Sequence, residues 1–189
     1  MKNLEIMSLY QNKYRIESAR LKNWDYNRHA FYFITICTKN QIPFFGQIER
    51  GTMQLSEIGE IANQAWQATS ALRPDMNLEL GHFVVMPNHF HAILLIGENE
   101  YNTDTALSNN KDASYQNQFD SQSKNLASIV RGFKAKVTSK AWKINPNFAW
   151  QPRYHDHIIR NEQALEKISN YIQNNPLLWK QDKFYNPRL

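Results

Sequence analysis

A chain of 189 residues, 42% of them hydrophobic, is long enough to bury one core. No run approaches the roughly 20 apolar residues of a membrane helix, and MKNLEIMSLYQNKYR has no apolar export segment. Cys37 is alone, which excludes an internal disulfide and makes a reducing cytoplasm the expected compartment. The net charge of +5 is unevenly spread: residues 1–50 hold eight Lys or Arg against four acids, 98–123 one against five, and 124–160 eight against one. Basic stretches on either side of an acidic one suit a phosphate-binding surface, and equally a solvated basic helix.

Residues 1–12 read as a loose lead-in. HAFYFITICT (29–38) is dense in β-branched and aromatic residues and predicts a buried strand. IPFFGQIERGTMQL (42–55), punctuated by Pro43, Gly46 and Gly51, predicts a turn and a short hairpin. A helix follows over 56–72. Ser56 suits its N-cap, Ile58, Ile61, Ala62, Ala65 and Trp66 recur at helical spacing, and Arg73-Pro74 ends it. LELGHFVVM (78–86) and FHAILLI (90–96), separated by the Pro87-Asn88 turn, predict adjacent antiparallel strands. Residues 98–123, rich in Asn, Ser, Gln and Asp without apolar periodicity, read as a flexible polar insertion loop. A helix is expected over 124–142, with Leu126, Ile129, Val130, Phe133 and Val137 along one side. FAWQPRYHDHIIR (148–160) begins extended and ends in a short apolar pair. A last helix over 161–175, striped by Leu165, Ile168 and Ile172, stops at Pro176. The C-terminal extension, 176–189, is expected to pack Trp179 and Phe184 back on the body. The order implies one domain over 1–189, an α+β sandwich with helices over one face of an antiparallel sheet.

His89-Phe90-His91 stands where a turn becomes a strand. Alternate strand residues share a face, so both imidazoles can converge on one ion while Phe90 packs the other way. Two unrelated polar histidines near a strand end would read the same. Ile93 and Leu94 stand where the commoner His-x-His hydrolase patterns place further ligands, and Cys37 lacks the partner a structural zinc site needs. The pair therefore requires a ligand from elsewhere. On the last helix Tyr171 and Asn175 are one turn apart and share a face, which offers a phenol and an amide oxygen to one small volume. That oxygen suits Mg²⁺ or Mn²⁺. Each residue alone is equally ordinary, Tyr171 as packing and Asn175 as helix-end chemistry.

Several stretches together resemble the single-tyrosine HUH transposases, in particular the REP-associated tyrosine transposase branch. They are RIESARLKNWDY (15–26), FYFITICTKNQIPFFGQI (31–48), LSEIG (55–59), HFVVMPNHFHAILLI (82–96), IVRGFKAKVT (129–138), WQPRYHDHIIRNEQAL (150–165) and ISNYIQNNPLLW (168–179). The combination of MPNHFHAIL with the later WQPRYHDHIIR and YIQNNP is the most specific part. Residues 98–123 and the first dozen residues fall outside it. The resemblance implies a ferredoxin-like fold with the HUH strand central in the sheet, His89 and His91 as metal ligands, Tyr171 as nucleophile and Asn175 as completing the metal site. Tyr154, beside His155, Asp156 and His157, is the competing phenol. It is read instead as part of a structural corner, with Ile158 and Ile159 buried and Arg160 helping to bind DNA.

What the resemblance implies is cleavage and rejoining of single-stranded hairpin DNA through a 5′-phosphotyrosine, with Mg²⁺ or Mn²⁺, in a nucleoid-associated monomer or homodimer. Lys124, Arg131, Lys134, Lys136 and Lys140 on one helix, with Arg15, Arg20 and Arg160, are the candidate phosphate contacts. A domesticated, non-catalytic DNA binder and a phosphoesterase using water are the alternatives.

Overall fold

The computed structural model describes residues 24–103 and 123–187. The lead-in, Arg15, Arg20 and most of the 98–123 insertion lie outside them. Among the described residues the order is β1 (Ala30–Cys37), β2 (Gly46–Glu49), β3 (Thr52–Leu55), α1 (Glu57–Gln67), β4 (Leu78–Met86), β5 (His89–Ile96), α2 (Leu126–Ala141), β6 (His155–Ile159) and α3 (Glu162–Asn174). The main sheet is antiparallel in the order β4-β5-β1-β6, and β2–β3 is a separate hairpin. Without that hairpin and α3, the remainder is the β-α-β-β-α-β ferredoxin-like arrangement.

Local chemistry sets the boundaries. Ser56 Oγ accepts from Gly59 N at 3.1 Å and donates to Phe44 O at 2.7 Å, so it caps α1 and ties it to the preceding turn. Helix α1 stops at Gln67, and residues 68–72 continue as turns. Asn125 and Ser128 form a reciprocal capping box at the start of α2. Lys124, expected on that helix, therefore stands outside it, with φ of 59°. Asn161 caps α3 by accepting from Ala164 N at 2.8 Å. Gly46, at φ 130°, opens the β2–β3 hairpin where a Cβ would lie 2.0 Å from Gln54 O, so only glycine fits.

Strand alternation then sorts the apolar side chains. Tyr32, Ile34 and Ile36 of β1, with Phe90, Ala92 and Leu94 of β5, face α1 and α2. Phe90 is the hub of this layer, its ring centroid 5.1 Å from Trp66 and 5.0 Å from Phe133. The intervening residues Phe31, Phe33, Ile93 and Ile159 meet Leu165, Ile168 and Ile172 of α3 on the other side. Helices over one face only is thus corrected: α1 and α2 cover one face and α3 the other. The reason was in the strands, since β1 and β5 are apolar on both sides and runs of that kind need cover on both. No helix among the described residues is long and apolar enough to cross a membrane.

Candidate metal and nucleophile site

β5 lies inside the sheet, and its N-terminal end carries the histidine pair. His89 is opposite Cys37, and His91 is opposite Thr35, on the face covered by α3. Their ring centroids are 4.5 Å apart. Each ring is held by its Nδ1. Asn88 Oδ1 lies 2.9 Å from Nδ1 of His89, and Thr35 Oγ1 lies 2.8 Å from Nδ1 of His91. An amide oxygen can only accept, so His89 carries its proton on Nδ1 and leaves Nε2 bare. Asn88 is itself pinned, since its carbonyl accepts from both Thr38 N and Thr38 Oγ1 at 2.9 Å. Neither Asn88 nor Thr35 was marked by sequence, where Asn88 read only as a turn residue.

Helix α3 brings Tyr171 and Asn175 to these rings. The Tyr171 hydroxyl lies 3.1 Å from Nε2 of His91 and donates to Asp182 Oδ2 at 3.2 Å. Asn175, which caps the C-terminus of α3, is buried and donates through Nδ2 to the same carboxylate oxygen at 2.9 Å. Asp182 is the residue sequence reasoning missed. His89, His91 and Asp182 form a cluster whose ligand atoms all lie within 4.8 Å of one another. Two buried atoms here have no hydrogen-bond partner: Nε2 of His89 and Oδ1 of Asn175.

The extension places Asp182 and covers the site. Trp179 and Phe184 put their ring centroids 5.9 and 4.5 Å from that of His89, and Asn88 Nδ2 donates to Phe184 O at 2.9 Å. The folding back of Trp179 and Phe184 is as expected. As a result His89 is 0% and His91 1% exposed, whereas Tyr171 is 39% exposed. Burial, reinforced by the other imidazole and Lys183, holds His89 well below the ordinary histidine range. Burial likewise lowers His91 from 6.5 to about 4, with Asp182 opposing and Lys183 assisting. Burial, then the charge of Asp182 and the hydrogen bond to it, pushes the Tyr171 phenol up to about 12.

Neutral imidazoles, a carboxylate and an unpartnered amide oxygen are the donor set of a divalent cation. The two orphaned atoms fit such an ion, because a buried polar atom without a partner costs about 1–3 kcal/mol. The residues present therefore suit a metal.

The competing phenol lies elsewhere. Tyr154 packs against the core beneath α1 and α2, on the opposite side of the sheet from Tyr171. Ile158 and Ile159 are buried, as expected of a structural corner. His155 and His157 stand exposed on edge strand β6, opposite Thr35 and Phe33 and so on the imidazole face. The candidate phosphate contacts are scattered. Helix α2, with Arg131, Lys134, Lys136 and Lys140, lies across the sheet from the imidazoles. The Lys134 ammonium donates to the carbonyls of Gln151 and Arg153 at 2.9 and 3.2 Å, and burial lowers its pKa. Lys124 pairs with Asp75, and Arg160 is exposed at the far end of β6. The basic residue whose charge reaches both imidazoles is Lys183, in the extension.

No protein-family model matches the chain. An uncharacterized protein of Haemophilus influenzae is 41% identical over 172 residues, which is 89% of this chain and 92% of that protein. The solved structure of a REP-associated tyrosine transposase bound to a REP hairpin matches 90% of this chain and 77% of its own, with a TM-score of 0.54 and 19% identity. The chain therefore belongs to one family with the Haemophilus influenzae protein, and its fold is that of the REP-associated tyrosine transposase.

Proposed function

We propose that this protein cuts and rejoins single-stranded DNA at a hairpin, as a metal-dependent transposase of the HUH type. His89, His91 and Asp182 would hold Mg²⁺ or Mn²⁺, with the amide oxygen of Asn175 as a further ligand. The observation that carries this reading is the Tyr171 hydroxyl 3.1 Å from Nε2 of His91, with Tyr171 exposed and Asp182 half-buried beside two buried imidazoles. The hairpin in the solved transposase structure supports DNA as the partner.

The ion, when bound, supplies positive charge to the non-bridging oxygens of the scissile phosphate. The chain's own residues account for the rest. A phenol held near 12 keeps its proton at neutral pH and needs an acceptor. Asp182 Oδ2, already bonded to the hydroxyl, is placed to take that proton as the phenolic oxygen bonds to phosphorus. The bond from phosphorus to the 3′ oxygen breaks, that oxygen takes a proton from a water molecule, and the hydroxide so formed takes up the proton held by Asp182. The products are a 5′-phosphotyrosine and a free 3′-hydroxyl. In the reverse direction a 3′-hydroxyl attacks phosphorus, the phenol regains its proton and the strand is resealed without ATP. The phosphate would approach from the side of the exposed Tyr171 and the half-buried Asp182.

The test is a denaturing gel of protein mixed with labelled hairpin DNA and Mn²⁺. A covalent adduct is expected, and Tyr171→Phe should abolish it. An undiminished adduct in that variant overturns the assignment. Burial of both imidazoles under the extension favours a second reading, a DNA binder that does not cut. Hairpin affinity indifferent to chelator and to His89→Ala, without any adduct, would establish it.

A further inference from the structure

Strand β6 repeats the pattern of β5. His155 and His157 are alternate residues of one strand, as His89 and His91 are, and so project from one face. It is the face of the candidate site. Thr35 pairs with His91 on one side and with His155 on the other, which sets the three in one row across β5, β1 and β6. The charge of His155 reaches His91. Phe33, opposite His157, stacks its ring on that of His91 at 5.2 Å. The two histidine pairs differ in cover. Helix α3 rests on β4 and β5, and the extension closes over His89. β6 is the edge strand beyond them, and both of its imidazoles are exposed. Neither has a hydrogen-bond partner among the described residues.

Alternate strand residues stand about 6.5 Å apart along the chain. At that spacing the rings of His89 and His91 already approach to 4.5 Å, so a second pair can close around an ion in the same way. Imidazole nitrogen suits zinc, copper and nickel, whereas Mg²⁺ prefers oxygen. Asp156 supplies no third ligand, because it alternates to the opposite face, where its charge reaches Tyr32. An ion on two imidazoles alone keeps open positions for water or an incoming oxygen. Both ligands are neutral, so its charge is undiminished, and a backbone phosphate offers the matching oxygen. Paired strand residues lie about 5 Å apart, which puts His155 about 10 Å from His91, a short step along a nucleic-acid strand. We propose that His155 and His157 form an open site for a divalent transition ion, whose free positions bind a backbone phosphate beside the one held at Tyr171. The phosphate contact rests on the transferase reading above. Ion binding itself does not.

The experiment titrates Zn²⁺ into the full chain by isothermal calorimetry. His155→Gln/His157→Gln alters only exposed positions and is expected to melt as wild type does. It should bind one Zn²⁺ fewer than wild type, and either single substitution should weaken that ion about tenfold, because the chelate is lost. Equal stoichiometry and affinity in wild type and the double variant overturn the site. A second arm follows a labelled single strand by fluorescence anisotropy on Tyr171→Phe protein, which forms no adduct. Zn²⁺ added over Mg²⁺ is expected to tighten binding about fivefold, and the gain should vanish when His155→Gln and His157→Gln are added. No gain, or an equal gain without the two imidazoles, overturns the phosphate contact. The adduct assay with Mn²⁺ is run in parallel. Absence of adduct with the Zn²⁺-dependent gain intact supports the open site while overturning the transferase reading.

Discussion

The carboxamide of Asn88 decides which nitrogen of His89 is bare, and it does so from a turn whose backbone is anchored by Thr38. Removing it frees the ring to rotate and to change tautomer. Asn88→Ala is expected to weaken Mn²⁺ binding about 10- to 100-fold, measured by titration calorimetry. Unchanged affinity would mean that packing by Trp179 and Phe184 orients the ring instead. Acid should act through the same imidazoles. The folded chain holds His91 at about 4 against an ordinary 6.5, chiefly by burial. Between those values the unfolded chain binds a proton that the folded chain refuses, so stability falls as pH drops from 6.5 towards 4. Above 6.5 this contribution is complete and flat. Thermal melts across that window should show the decline, and His91→Gln should lessen it without abolishing it, because burial lowers His89 as well. At this scale strand alternation and helical spacing disclosed two pairs, His89 with His91 and Tyr171 with Asn175, and that the pairs meet in one site was what the family resemblance implied. Asp182 follows Pro176 and a turn, where no period relates its side chain to Tyr171, so its place in the cluster was not legible.

Among the elements, the strands and capped helices were readable to within a few residues, since apolar spacing and capping residues act locally. What each helix covers was not, because that depends on which face of the sheet is left bare. Helix α2 shows the consequence. Its lysines read as one phosphate-binding row, yet Lys134 lies over the Trp150 ring, its ammonium 5.8 Å from the centroid, and bonds two backbone carbonyls. Lys134→Met should therefore lower unfolding free energy by about 1–3 kcal/mol in chemical denaturation. It should also leave the salt dependence of DNA binding as in wild type. A reduced salt slope with unaltered stability would restore Lys134 to the phosphate contacts.

For the molecule as a whole, one sheet separates two layers of different purpose. The layer around Phe90, Trp66 and Phe133 is a dry aromatic core, while the opposite layer holds imidazoles, a phenol and a carboxylate under α3 and the extension. The single residue Phe90, set between the two histidines, joins them: any change of register that lost the imidazoles would also pull this ring from its core. The candidate ligands nonetheless belong to segments of unequal persistence. His89 and His91 sit on a strand bonded on both sides, and Asp182 on a short stretch after the last helix. Amide hydrogens of β5 should exchange with deuterated solvent only through global opening, whereas those of residues 176–187 should exchange orders of magnitude faster. An ion bound here would then come and go on the lifetime of the carboxylate's segment, with the domain intact throughout.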